Sequence, residues 1–272
     1  MTPFLEWREA MFKVGLCSIT FRQLSVAEVI DISKKAGISG IEWGGDIHVP
    51  PGNVEGATQV AYLTKQANLQ VSSYGSYYRV GYEEDGQESF AKVLETAIAL
   101  TAPSIRVWAG RVGSREASEQ DRKKVVDDAK RIAELAKNKM ISIHFEYHRG
   151  TLTDTAESAT QLMEEINHPN VFLYWQPAVN ESVQKRIDSI ERVSPWLSHV
   201  HVFYWENTNR LPFSSGVTMW EQYLNALKRV KGERYLLMEF VRENKVEQFM
   251  DDVEVLKRMV TNLNRQFLKK EY

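Results

Sequence analysis

Eight short β-type runs alternate with eight amphipathic stretches along this chain, and that order leaves few folds open. The β-type runs fall at 13–19, 38–43, 69–75, 104–109, 140–146, 171–176, 198–203 and 234–239. Helical patterns fall between and after them, at 25–36, 54–68, 87–101, 118–138, 154–166, 182–192, 218–230 and 244–268. Strict alternation implies parallel strands joined by helical crossovers. An open doubly wound sheet usually carries a glycine-rich turn after its first strand, whereas this chain reads SITFRQLS there, without a glycine. A closed barrel needs eight units of about 30 residues, and the spacing supplies them. The expected fold is therefore α/β, a single-domain (β/α)8 barrel over 13–272, preceded by an extension over 1–12. No linker, low-complexity tract or like-charge block suggests a second domain.

Helix starts carry their own signals. Ser25 precedes Glu28, Asp154 precedes Glu157, Thr218 precedes Glu221, and Asn244 precedes Glu247. Each pair is expected to cap a helix, the first residue by accepting an early N–H and the acid by favouring the positive helix end.

Strand parity then places polar residues where a barrel interior is ordinarily filled by Val, Ile and Leu. Outer faces must be apolar to pack on helices. Ile105 and Val107 therefore point outward and Arg106 and Trp108 inward. By the same rule His144, Glu146, Gln176, His199, His201, Glu239 and Glu42 face the interior. Burying that many polar groups is unfavourable by several kcal/mol each unless they are paired or bind something. Glu146, Gln176, His201 and Glu239 stand at the ends of four strands, where their donors can converge on the barrel axis. Two carboxylates, one imidazole and one amide oxygen suit one divalent ion, Mn²⁺, Mg²⁺ or Co²⁺ rather than Zn²⁺. Taken singly, each residue reads as readily as a buried hydrogen-bond partner. Four on successive strands favour a metal site.

Composition excludes several alternatives. A net charge of −2 offers no basic face for nucleic acid. One cysteine, Cys17, rules out an internal disulfide and suits a reducing cytoplasm. No apolar run approaches the roughly 20 residues that span a bilayer.

The segments IHFEYHRGTLTDT, YWQP, HVHVF and LLMEF resemble the xylose isomerase-like barrel superfamily of sugar isomerases and epimerases. The opening KVGLCSITFR, IEWGGDIHV and VWAG share the likeness. The resemblance implies metal ligands Glu, Asp, His and Glu, which fall here on Glu146, Gln176, His201 and Glu239; glutamine stands where the family has aspartate. It also implies that Glu146 and Glu239 act as acid and base on opposite faces of the substrate. The implied activity is metal-dependent isomerisation or epimerisation of a sugar or related polyol through an enediolate. Two alternatives stay open. One is a dehydratase acting on an inosose or 3-dehydroshikimate, and the other is a metal-impaired barrel that only binds a sugar. The expected partner is a small polyhydroxylated substrate, and homo-oligomers are common among such barrels.

Around the mouth, His48, Trp108, His148 and Arg106 are candidate substrate contacts. Arg106 alternatively pairs with Glu42. His144 and His199 lie one layer deeper. Arg111 and Arg210, in loops after the fourth and seventh strands, could meet an anion, but no glycine-rich phosphate cradle accompanies them.

Overall fold

The computed structural model describes residues 12–83, 88–179 and 181–268. Eight parallel strands close on themselves, as the alternation requires: β1 (Phe12–Cys17), β2 (Gly40–Gly44), β3 (Gln70–Arg79), β4 (Ser104–Trp108), β5 (Ser142–Phe145), β6 (Val171–Trp175), β7 (Leu197–Val202) and β10 (Arg234–Met238). The ring closes where β1 pairs with both β2 and β10. Helices α1 (Val26–Ala36), α2 (Val54–Gln66), α3 (Phe90–Ala99), α4 (Glu119–Lys137), α5 (Ala156–Ile166), α6 (Val183–Val193), α7 (Val217–Leu227) and α8 (Val246–Leu268) follow the barrel strands in turn. Residues 1–11 of the expected N-terminal extension lie outside the described residues. No helix among the described residues is long and apolar enough to cross a membrane.

The core has two layers because alternate strand residues face opposite ways. Outward residues such as Ile105, Val107, Ile143, Val200, Leu236 and Met238 join the helices in one large apolar cluster. Trp175 also points outward, its indole N–H donating to Ser189 of α6 at 2.9 Å. Inside the barrel the apolar filling is small, with Tyr174, Tyr235 and Leu237 forming a separate cluster. Polar groups occupy much of the remaining interior.

Two features were not legible beforehand. The third strand runs four residues beyond its expected end, carrying Tyr77 and Arg79 to the mouth. A two-stranded antiparallel ribbon, β8 (Trp205–Glu206) with β9 (Asn209–Arg210), rises from the loop after β7.

The caps divide. Ser25 and Glu28 form the expected reciprocal box on α1. The other three expectations are corrected. Asp154 accepts the backbone N–H of Ser114 at 3.0 Å, tying two mouth loops together, and Thr155 caps α5 in its place. Thr218 lies inside α7, which continues from a short 3-10 turn and has Gly216 at its N-cap without a side-chain bond. Asn244 adopts a left-handed backbone at φ +51° and accepts from Arg210 instead of capping α8. For Asp154 and Asn244 a tertiary partner outcompetes the local one, whereas Thr218 is displaced because its helix starts earlier.

Asp252 of α8 takes over one of these jobs. Its carboxylate accepts the Phe213 N–H at 2.9 Å and the Gln248 amide at 2.8 Å. Burial, only partly offset by those bonds, raises its pKa from 3.8 to about 6. The folded state therefore binds a proton more tightly than the unfolded chain between those values, and stability falls as pH rises through that window. Asp252→Asn keeps an acceptor oxygen and should flatten this slope between pH 4 and 6. Urea unfolding of both proteins across that range is the measurement, and parallel curves would contradict the assignment.

Candidate active site and metal centre

Strand register brings the inward polar residues to one level. Cys17 pairs with Glu42 across β1 and β2, and Arg106 pairs with His144 across β4 and β5. His201 pairs with Leu237 across β7 and β10. Glu146, Gln176 and Glu239 each follow the last residue of their strand, so their carboxylates and amide reach the C-terminal mouth.

At the centre is a buried ion-pair network. Arg106 is 1% exposed and donates from Nε to Glu42 at 2.8 Å and from Nη1 to Glu146. Gly75 makes the space for it. A Cβ there would lie 2.9 Å from an Arg106 nitrogen and 3.0 Å from a Glu42 oxygen. Burial alone would raise the pKa of Glu42, but the Arg106 guanidinium and His201 hold it well below the carboxylate range. Cys17 donates its thiol to the same Glu42 oxygen at 3.2 Å, and burial pushes that thiol further from ionising.

Glu146 is oriented by two donors on one oxygen. The Arg106 guanidinium and the Trp108 indole N–H both bond Oε2. Its other oxygen, Oε1, faces His201 Nδ1 at 3.9 Å. Around that same nitrogen stand Gln176 Oε1 at 3.0 Å and Glu239 Oε2 at 3.5 Å. On the far side of the ring, His201 Nε2 faces Glu42 at 3.5 Å. Sequence parity thus anticipated a real convergence of Glu146, Gln176, His201 and Glu239.

Ligand atoms on one ion with bonds of about 2.1 Å stand about 3 Å apart when adjacent and about 4 Å apart when opposite. The donors of Glu146, His201 and Glu239 all lie within 4.8 Å of one another, and the distances to His201 Nδ1 fall in the required range. Charge fits as well. Glu42, Glu146 and Glu239 against Arg106 leave two negative charges when His201 is neutral, which one dication would balance. The carboxylate and histidine groups here could hold a divalent metal.

The two flanking carboxylates differ electrostatically. Burial pushes both upward, but Arg106 and His201 outweigh it at Glu146, which is lowered. Glu239 is raised, because burial and the neighbouring Glu146 charge overcome the attraction of His201. His201 itself, though disfavoured by burial, is raised to about 9 by Glu239 and Glu42.

The remaining candidates separate. Trp108 stacks on His148 with ring centroids 4.8 Å apart, and Arg79 lies over the same indole at 4.1 Å. Together with Tyr77, 5.6 Å from Trp108, they form an aromatic and cationic wall beside Glu146. Tyr77 and Arg79 were missed by the sequence reading, although alternation through 79 already put both on the inward side. His48 is held apart from this group. Its Nδ1 meets Ser18 at 3.0 Å and its Nε2 meets the Leu24 carbonyl at 3.1 Å. Ser18 in turn accepts the Gly44 N–H, so His48 braces the turn after β2. His144 and His199 lie deeper, with ring centroids 5.5 Å apart, and burial pushes both pKa values down.

A closed barrel with carboxylates and histidine at its mouth defines a class, and the comparisons agree. Residues 30–259 match the family of xylose isomerase-like TIM barrels, and the chain belongs to that family. A curated relative, the 3-dehydroshikimate dehydratase of Bacillus anthracis, is 28% identical over 201 residues, covering 70% of each chain. The crystal structure of the probable 3-DHS dehydratase AsbF from Bacillus anthracis superposes with a TM-score of 0.74 at 22% identity, covering 90% of this chain and 98% of that one. The D-allulose 3-epimerase of a Methylomonas species gives a TM-score of 0.71 at 16% identity, covering 92% of this chain and 99% of that one. At those identities the two structural likenesses speak for the fold.

Proposed function

We propose that this chain is a divalent-metal-dependent enzyme that removes a proton next to a carbonyl on a small polyhydroxylated substrate and then expels a neighbouring hydroxyl as water. One observation carries the reading: Glu146, His201 and Glu239 aim ligating atoms into one small volume at the barrel mouth. Glu146, Gln176, His201 and Glu239 would hold the metal. When bound, it would polarise the carbonyl and stabilise the negative charge that develops on its oxygen.

The chain's own groups supply the proton traffic. Glu146, held ionised by Arg106, is the base that takes the proton from the carbon beside the carbonyl. Trp108 and Arg106 fix its orientation by holding Oε2 and leaving Oε1 toward the centre. Glu239, the second carboxylate beside the site, would pass the departing hydroxyl the proton it needs to leave as water. Trp108, His148 and Arg79 offer a wall against which the substrate ring can pack.

Elimination is favoured over epimerisation by the dehydratase relative, whose match extends over 70% of both chains. Epimerisation is the second reading, supported by the epimerase barrel of the same architecture. It needs the same first step, with the proton returned to the opposite face. Turnover of 3-dehydroshikimate, an inosose and a ketohexose separates the two. An absorbing enone or aromatic product is expected, whereas an epimerised sugar alone would select the second reading. Chelation should abolish turnover, and Mn²⁺ or Mg²⁺ should restore it. A protein that binds a sugar, turns over none of the three and takes up no metal would instead be the metal-impaired binder.

A further inference from the structure

The mouth has a second corner, on the Glu239 side, that the proton chemistry does not use. Directly after Glu239 the backbone passes through Phe240 at φ +54°. A non-glycine residue there is strained, and such strain persists only where the surroundings enforce it. Buried Thr20 enforces it, its hydroxyl accepting the Phe240 N–H at 3.0 Å. The turned ring lies beneath two guanidinium groups brought by different loops. Arg210 of β9 is 4.4 Å from its centroid, and Arg22, from the loop after β1, is 5.8 Å away. Arg210 also lies 5.3 Å from the Trp205 ring.

The two cations are not equally neutralised. Arg22 is paired with Asp46 at 2.5 Å. Arg210 donates to the neutral amide oxygen of Asn244 at 2.6 Å, and among the described residues it forms no ion pair. Burial, with Arg22 adding to it and Glu239 opposing, lowers the pKa of Arg210. Arg210 is thus a half-buried cation stacked on rings beside a second cation, with Glu239 near it but in no ion pair with it, and it can still pair with an anion from outside.

We infer that this corner is an anion subsite of the active site, in which Arg210, stacked on Phe240 and Trp205, receives a carboxylate of the substrate. A guanidinium held flat against aromatic faces presents its remaining N–H groups edgewise, and that planar fork matches a carboxylate. A phosphate would call for the backbone N–H cradle that the loops here lack in sequence. The substrate class is thereby narrowed from neutral sugars to carboxylate-bearing polyhydroxylated rings. This narrowing rests on the function proposed above.

The test uses shikimate, a carboxylate polyol without the reactive ketone, and its neutral methyl ester. Each is titrated calorimetrically into the Mg²⁺-loaded wild type and the Arg210→Gln variant. The wild type should bind the acid about tenfold or more tightly than the ester, and the variant should bind both about equally, with ester affinity unchanged. An undiminished preference in the variant overturns the subsite, as does a wild type that fails to prefer the acid. Inorganic phosphate that displaces shikimate at lower concentration than shikimate itself requires would overturn the carboxylate assignment. Preferential shikimate binding without turnover of 3-dehydroshikimate would leave the subsite standing and sink the proposed reaction instead.

Discussion

Glu146→Gln is expected to lower turnover by about a thousandfold and to leave the fold intact. Glutamine keeps an oxygen that can accept from Trp108 and Arg106, so the mouth retains its shape. It loses the charge that makes the group a base and a strong metal ligand. The two losses can be told apart by metal content. A variant that still holds Mn²⁺ and is inactive isolates the proton-transfer role, while one that holds none isolates ligation. Steady-state kinetics beside metal analysis is the measurement. Full turnover would remove Glu146 from the mechanism altogether.

Arg106→Met is the corresponding test of stability. The guanidinium joins Glu42 and Glu146, all three of them 4% exposed or less. Removing it leaves two buried carboxylates on either side of His201 without their guanidinium partner. Breaking a buried pair in this way costs about 3–5 kcal/mol, well beyond the effect of a lost surface bridge. Methionine fills comparable volume, so the loss is electrostatic and not a cavity. Urea denaturation at neutral pH should show it. Adding Glu42→Gln to Arg106→Met should recover part of the loss, because one uncompensated charge has gone; simple additivity of the two changes would argue against the network.

These two residues also show how much could be read in advance. Arg106 and Glu146 were placed inside the barrel by parity alone, since Ile105, Val107, Ile143 and Phe145 needed the apolar side. Parity is a local property of extended backbone, and it survives into the fold. The same reasoning stopped at residue 75 on the third strand, so Tyr77 and Arg79 went unseen. A strand's end depends on how far its neighbours continue to pair, and Arg79 pairs with Trp108 only past an irregularity in register. Caps failed for a similar reason. Asp154 and Asn244 had local jobs available, but Ser114 and Arg210 arrived from distant loops and took them.

By itself the sequence determined the barrel, the order of its elements and the set of polar side chains turned inward. Each of these follows from periodicity and from the cost of exposing apolar faces. Only the tertiary structure decided that Trp108 and Arg106 share one oxygen of Glu146 and that His48 braces a turn. It alone set Arg210 and Arg22 over the Phe240 ring. Those outcomes depend on distances of a few ångströms between loops far apart in the chain, and no local pattern encodes them.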